Sequence, residues 1–462
     1  CITIDEAHCI SEWGHDFRPE YRRIKDLREQ FPLAVFLAVT ATATERVRRD
    51  IIGNLALKDP SELVASFNRD NLFYEVIPKN NATDQTLDYL RKFKGQSGII
   101  YCFSRKQVDS LTLDIKKAGF KVLPYHAGLA DDIRHKNQEL FIRDDVPIMV
   151  ATIAFGMGIN KPNVRFVIHY DLPKNIESYY QETGRAGRDG LPAQCLLLFS
   201  AGDAAKIKYF IDQKEDPAQK RVAQNHLNAI IAYAQSRQCR RIPLLTYFGE
   251  NHTAPDCALC DNCVKPQATA VDLSLPAIKF LQCVSETGER FGALHLINIL
   301  RGSEAEKILH YGHQHNRSFG TGRDWTVKQW QDLVSQLLTQ SLLKKDDEYG
   351  VLSFTAGSLE LLSRRRSFQG FTPEKNTVPI KSVRVKSNED YDTELFERLR
   401  AKRKELADKN GVPPYIIFSD KSLIDMCQRK PRTKAEFAHV FGVGEQKLER
   451  FSAAFLRVIH EK

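Results

Sequence analysis

Two adjacent carboxylates and a histidine, Asp5-Glu6-Ala7-His8, follow directly on the apolar run Cys1-Ile2-Thr3-Ile4. A carboxylate at the carboxyl end of a strand holds the usual ligand position of an open α/β sheet. Aspartate there suits Mg2+ on a nucleotide, since Mg2+ takes few carboxylates and keeps its waters and phosphates. The neighbouring Glu6 suits polarisation of an attacking water, and His8 belongs to the same candidate catalytic set. A second stretch, "FLAVTATAT", ends a strand on Thr40 and Thr42, whose hydroxyls can bond to those carboxylates or to phosphate. A third, "SYYQETGRAGRDG", supplies Gln181, Arg185 and Arg188. On a helix, three-residue spacing puts the two arginines on one face. A guanidinium aimed across a cleft at a γ-phosphate stabilises the charge of phosphoryl transfer. A solvated acidic turn and a surface ion-pairing helix are the plainer alternatives for the first and third stretches.

Ten cysteines are present, six scattered singly and four set as C-x17-C-x2-C-x2-C at Cys239, Cys257, Cys260 and Cys263. Four thiolates suit tetrahedral Zn2+, with the close trio on one tight turn and Cys239 arriving from a helix. A closed four-cysteine set leaves no open coordination position, so this zinc is structural. Disulfides are the alternative, and a reducing compartment with a metal site is the better reading of the whole pattern.

The elements that must position these residues follow from periodicity. Strand-like runs such as "SGIIYCF", "IMVATI", "VRFVIHYD" and "AQCLLLF" alternate with charged helical stretches up to about residue 203, which argues parallel α/β layers. Residues 1–63 form one such unit, incomplete, and 64–205 a second. Helices then lead into the cysteine cluster over 206–267, followed by a mixed helical segment with a late hairpin, "LLKKDDEYGVLSFT", over 268–363. Residues 364–388 are basic, Pro- and Gly-containing and aperiodic, a linker by composition. A small all-α domain closes the chain over 389–462. With 462 residues, several domains are expected. No apolar run is long enough to span a bilayer, and no signal peptide pattern opens the chain. The net charge of +9 suits a polyanionic partner.

In this order, these segments resemble motifs II, III, V ("MVATIAFGMGINKPNVRFVIHYDLP") and VI of superfamily 2 helicases, and the loop "SEWGHDFRPEY" narrows the resemblance to the RecQ family. The resemblance implies RecA-like motor lobes, the first incomplete, then a helical zinc-binding subdomain, a winged-helix domain and an all-α HRDC domain. It implies that Trp13, Phe17 and Arg18, with His15 and Asp16 between them, sense single-stranded DNA, which agrees with bases stacking on aromatic faces. It implies that Ser104, Arg105, His126 and Arg134 track the DNA backbone. In the winged helix it makes Tyr349 a candidate strand-separating residue, and in the HRDC domain it points to Tyr415 and Lys421 as DNA contacts. The cofactors implied are ATP, Mg2+ and structural Zn2+. The partners implied are single-stranded and branched duplex DNA and, by family analogy, a single-strand-binding protein or topoisomerase.

G-x-x-x-x-G-K-[ST], the phosphate-cradling loop, occurs nowhere in the sequence. The chain is therefore expected to be the carboxyl-terminal portion of a 3′-to-5′ DNA helicase of recombination, repair and replication. By itself it should hydrolyse ATP poorly or not at all. The alternative is a non-catalytic DNA-binding protein built on a degenerate motor. The compact wing and single HRDC module suggest a bacterial, cytoplasmic, nucleoid-associated protein.

Overall fold

The computed structural model describes residues 1–462 except 15, 154, 156–158, 253–255, 265–269, 347–349, 372–390 and 462. The chain divides into two compact units, Cys1–Lys265 with Val383–Lys462, and Pro266–Ser382.

In the first unit, the opening residues form a parallel pair, β1 (Ile2–Ile4) against β2 (Phe36–Ala38), with Ile4 opposite Ala38. The helix Glu45–Asn54 begins on Thr44, whose hydroxyl accepts from the Val47 amide, and buries Val47 and Ile51 against Ile4, Ala7 and Ile10. A six-stranded sheet follows: β3 (Leu72–Pro78), β4 (Ser97–Tyr101), β5 (Val122–Tyr125), β6 (Ile148–Ala151), β7 (Val164–His169) and β8 (Ala193–Phe199). Its order is β3-β8-β7-β4-β6-β5 and every pairing is parallel. The expectation of parallel α/β layers is met here.

The strands are apolar almost throughout because both faces of the sheet are covered. Alternate residues enter opposite cores, as the two-residue period of a strand requires. Ile99 and Tyr101 join one cluster with Leu72, Met149, Val167 and Leu197. Ile100 joins the other with Val108, Leu111, Val150, Phe166 and Leu198. The first cluster continues into the helices Pro217–Gln235 and Arg241–Tyr247 through Leu227, Ile230, Tyr233 and Leu244, so the cysteine-bearing segment shares the core of the sheet.

The terminal residues of the same unit form the helices Thr393–Lys409, Pro414–Ile417, Asp420–Arg429, Lys434–Phe437 and Glu445–His460 around Leu399, Phe418, Leu423, Phe437 and Phe455. The all-α expectation for this segment agrees with that arrangement.

The second unit packs the helices Ser274–Glu286, Ala293–Leu300 and Val327–Thr339 around Phe280, Leu296, Ile299, Trp330 and Leu337. Thr326 and Gln329 form a reciprocal capping box at the start of the last of these. The late hairpin pairs Leu343–Lys345 with Leu352–Phe354, and the Asp346 amide donates to Val351 O at 2.8 Å. Tyr349 lies outside the described residues.

Gly98 sits inside β4 where a Cβ would stand 2.0 Å from the Phe166 ring. Gly98→Ala is expected to destabilise the protein by about 1–3 kcal/mol through overpacking. Gly98→Ala with Phe166→Leu should recover part of that loss, and thermal unfolding of the three proteins checks it.

Candidate functional site

Asp5 follows β1 directly, and Glu6 turns the chain with φ 50°, a left-handed conformation, while its amide donates to Asp5 Oδ1 at 2.8 Å. A one-turn 3-10 helix, Ala7–Ile10, then buries His8. His8 Nδ1 lies 2.8 Å from Thr40 Oγ1 and 3.3 Å from Glu6 Oε2, so the end of β1 is tied to the end of β2. Burial pushes the His8 pKa down to about 4, which keeps the ring neutral at physiological pH. Burial raises the Glu6 pKa, helped by Asp5, and Arg185 and Arg18 act in the opposite sense.

The loop after His8 is shaped by Gly14, where a Cβ would meet His8 O at 2.5 Å. Trp13 lies half-buried under the Arg46 guanidinium, 3.1 Å from the ring centroid, and Phe17 lies under Arg22 at 5.0 Å. Arg18 is held by Asp16 through Nε at 3.1 Å and Nη2 at 2.6 Å. The loop's aromatic faces are thus already engaged by cations, an arrangement in which a stacking base and Arg can exchange for one another. His15 lies outside the described residues.

Across a cleft of about 1610 Å³ lie Gln181, Arg185 and Arg188, with Glu6, His8, Thr40, Arg18 and Arg69 also on its walls. Gln181 Nε2, on the helix Ile176–Thr183, donates to the buried Thr42 Oγ1 at 3.2 Å and so ties the β1–β2 segment to the element that leads into the arginine turn. The helical placement expected for the two arginines does not hold. The helix Ile176–Thr183 ends before them, and they occupy successive turns. Gly187 between them has φ +57°, and a Cβ there would stand 2.4 Å from Asn71 Nδ2 and 2.8 Å from Leu191 O. Only glycine fits, and a left-handed residue stops a helix. Arg188 Nη1 donates to Ile159 O at 2.7 Å, and burial together with Arg185 lowers its pKa.

The residues expected to track a backbone are divided by the structure. Ser104 caps the helix Arg105–Lys117, accepting from the Gln107 amide at 3.3 Å. Arg105 is exposed beside it, and Arg134 pairs with Asp131 at 2.7 Å. His126 is 4% exposed, with Nε2 on Asp109 at 3.0 Å and Nδ1 accepting from the Gly128 amide at 3.1 Å. Both of its nitrogens are used inside the fold, where they hold the Gly128 turn. In the terminal helices Tyr415 is partly buried, and Lys421 lies exposed over the Phe441 ring at 4.4 Å.

Cys239, Cys257, Cys260 and Cys263 come together with their sulfurs all within 4.8 Å of one another. Cys257 Sγ and Cys263 Sγ are 3.8 Å apart. That is far beyond a disulfide bond of about 2.05 Å. It matches the edge of a tetrahedron with metal–sulfur distances of about 2.3 Å. Arg241 Nη1 lies 3.1 Å from Cys257 Sγ, and the Arg240 amide 3.4 Å from Cys260 Sγ, so donors face the thiolates. The donor set fits Zn2+ held structurally.

Two arginines follow Cys239 in an arginine-bearing helix like that of the family's zinc-binding subdomain, and the sequence alone gives neither a role of its own. Arg240 is buried and forks onto Asp261 at 2.8 and 2.9 Å while capping Tyr233 O at 2.9 Å. Asp261 Oδ2 also accepts from the Val76 amide of β3 at 3.1 Å. Arg241 donates to Leu72 O at 2.8 Å and Arg69 O at 3.0 Å. Their signal was the doublet itself, two charges in an otherwise apolar helix start.

Four family descriptions match along the chain: helicase conserved C-terminal domain at 79–190, RecQ zinc-binding at 201–264, RQC domain at 267–377 and HRDC domain at 392–459. The protein named ATP-dependent DNA helicase RecQ of Haemophilus influenzae is 41% identical over 469 residues, covering 100% of this chain and 75% of that protein. Its namesake in Pasteurella multocida is 40% identical, covering 100% and 73%. The chain belongs to the RecQ family. The same name is carried by a Bacillus subtilis relative, 37% identical over 99% of this chain and 76% of its own length. Within RecQ terms, the six-stranded sheet is a RecA-like helicase lobe, the four cysteines lie in its zinc-binding segment, and the second unit is the winged-helix RQC domain. Among the described residues no helix is long and apolar enough to cross a membrane.

Replacing Cys260, which is fully buried and bridges to Tyr74 of β3, should remove both zinc and core packing. Cys260→Ser is expected to lower the zinc content measured by atomic emission well below one per chain. Arg240→Leu should keep the metal and still cost about 3–5 kcal/mol, because it strands Asp261 as an unpaired buried charge. Urea unfolding alongside the metal assay separates the two effects.

Proposed function

We propose that the intact protein is an ATP-dependent DNA helicase of RecQ type that moves 3′ to 5′ along single-stranded DNA and serves recombination, repair and replication. The observation that carries the reading is the cleft in which Glu6 faces Arg185, bridged by the bond from Gln181 to Thr42. ATP bound with Mg2+ supplies the phosphoanhydride whose hydrolysis drives movement. Asp5 is assigned to the metal and Glu6 to the attacking water. The raised pKa of Glu6 gives it the basicity that proton acceptance needs. Thr40 orients His8, and His8 in turn sits against Glu6. Arg188 is assigned as the cation that meets the charge developing on the transferred phosphoryl group, with Arg185 and Gln181 coupling that event to the opposite wall.

Trp13, Phe17 and Arg18 are assigned to sensing DNA. They lie on the same short loop as Glu6 and His8, and the Arg18 amide is bonded to Cys9 O at 2.8 Å. A base displacing Arg46 from the Trp13 face would therefore pull directly on the residues that hold the catalytic carboxylates. Arg105 and Arg134 are assigned to backbone phosphates, and Tyr415 and Lys421 to accessory contacts. The soluble character expected of a nucleoid protein, and association with a single-strand-binding protein or topoisomerase, belong to the same proposal.

The test is steady-state ATP hydrolysis by the native protein with and without a single-stranded oligonucleotide, followed by unwinding of a duplex bearing a 3′ tail. Arg188→Ala is expected to lower kcat by about 10³-fold or more, the scale of an arginine finger. Trp13→Ala is expected to abolish the increase in ATPase rate on adding DNA. A native protein that binds DNA and hydrolyses no ATP would overturn the helicase reading in favour of a DNA-binding module.

A further inference from the structure

The six-stranded sheet meets the arginine turn through a cross-strand pair. Tyr101 ends β4, His169 ends β7, and the two lie directly opposite one another in the parallel register. Residues so placed emerge on the same face of a sheet, and their rings stack with 5.6 Å between centroids and 23° between planes. Both are buried, and Tyr101 is packed in one apolar cluster with Met149, Val167 and Leu197. A hydroxyl and an imidazole carried into such a core must find partners.

The Tyr101 hydroxyl donates to Phe155 O at 2.9 Å and accepts from the Arg185 guanidinium. A phenol has one proton and lone pairs to spare, so a single oxygen serves both. His169 Nε2 lies 2.6 Å from Glu182 Oε2, three residues before Arg185, and the Arg185 amide donates to Glu182 O at 3.3 Å. The pair thus holds the arginine turn by its approach and by its first guanidinium.

The chain brings Phe155 to this point by its own packing. β6 ends at Ala151, and the Phe155 amide then turns back onto Thr152 O at 3.0 Å. The Phe155 ring is fully buried against Tyr125 and Phe141, at 4.6 and 5.7 Å between centroids. Four residues on, Ile159 O accepts from Arg188 at 2.7 Å. Both cleft arginines are therefore fastened to the segment that follows β6, Arg188 directly and Arg185 through the Tyr101 oxygen. A long arginine side chain keeps many rotamers unless a partner selects one. Stacking on His169 fixes the Tyr101 ring, and the fixed hydroxyl selects the rotamer of Arg185.

We propose that Tyr101 is a positioning residue: its hydroxyl sets the Arg185 guanidinium in the cleft and clamps the arginine turn to the segment after β6. The consequence for ATP hydrolysis rests on the functional reading given above; the clamp itself does not.

Tyr101→Phe keeps the ring and its stack and removes only the hydroxyl. Unchanged zinc content and circular dichroism establish that the variant folds. Hydrogen exchange of the native protein, followed by mass spectrometry on a peptide covering 182–191, should speed up about tenfold, the scale of losing a hydrogen bond to a charged group. Arg185→Gln removes the same bond from its less buried side and should speed that peptide equally. Adding Tyr101→Phe to Arg185→Gln should then change nothing further, because the two groups act as one unit. In steady-state ATP hydrolysis with a single-stranded oligonucleotide present, Tyr101→Phe should lower kcat by about 10²-fold and leave KM for ATP within about twofold, as misplacement of a group acting in the transition state requires. A tyrosine that only filled the core would lower the unfolding temperature and leave kcat where it was. Exchange at 182–191 that ignores Tyr101→Phe and Arg185→Gln overturns the clamp. Faster exchange with kcat unmoved overturns the positioning of Arg185 for the reaction. A wild-type protein that hydrolyses no ATP overturns the functional reading instead, and exchange still decides the clamp.

Discussion

The two cleft arginines depend on one turn that no residue but glycine can make. Gly187 donates its amide to Val164 O at 2.9 Å, and its carbonyl accepts from Asn71 at 2.7 Å and Arg69 at 3.0 Å. Three elements therefore converge on a single residue: the start of β7, the approach to β3 and the arginine turn. Asn71 also bonds Leu191 O at 2.8 Å, closing the turn from its far side. Buried backbone groups must find partners, and here satisfying them sets where Arg185 and Arg188 emerge from the sheet. Arg165 paired to Asp189 braces the same turn from β7. The guanidinium positions are thus a consequence of sheet hydrogen bonding, and the cleft inherits the rigidity of the core.

The same economy joins the zinc-binding segment to the lobe. Metal, Arg240 and Arg241 act on one locus: Cys260 bridges to Tyr74, Asp261 accepts from Val76, and Arg241 bonds Leu72 O. A four-residue helix such as Asp261–Val264 has no stability of its own. Cross-linking by a metal and a forked ion pair fixes it where burial alone would not. The site's electrostatics follow, because Arg240 is stabilised as a cation by Asp261 in spite of the burial that opposes it.

How far these features can be read from sequence depends on whether their cause is local. Parallel layering was legible because strands buried on both faces must be apolar at every position, as "CLLLF" of β8 is. The cysteine set was legible because ligand spacing is local over Cys257–Cys263. The arginine turn was misread as helix because its conformation answers to Asn71, more than a hundred residues upstream, and three-residue spacing serves turns and helices alike. His126 shows a related limit of the linear reading. Its role came from the family resemblance alone, and only tertiary placement shows Asp109 and Gly128 taking both nitrogens. Ser104 was named for a phosphate, and its oxygen in the structure caps a helix, a role that Ser-Arg-Lys-Gln before an apolar period also encodes. Sites assembled from distant segments lose their signal in a linear reading.

Magnitude separates the two kinds of interface in this chain. The Arg240–Asp261 pair is dry and bidentate, and breaking one side leaves a charge that water cannot reach, a penalty of about 3–5 kcal/mol. Such a joint stays closed for the life of the fold. The Lys404–Asp145 pair is wet on both sides, and exposed pairs contribute about 0–1 kcal/mol each. The two neighbouring contacts, Arg400 to Gly95 O and Arg143 to Gly411 O, are hydrogen bonds to carbonyls and not ion pairs. The segment behind them is different again: Lys161 is fully buried against Asp144, with Arg403 and Asp420 of the terminal helices near enough to act on its charge.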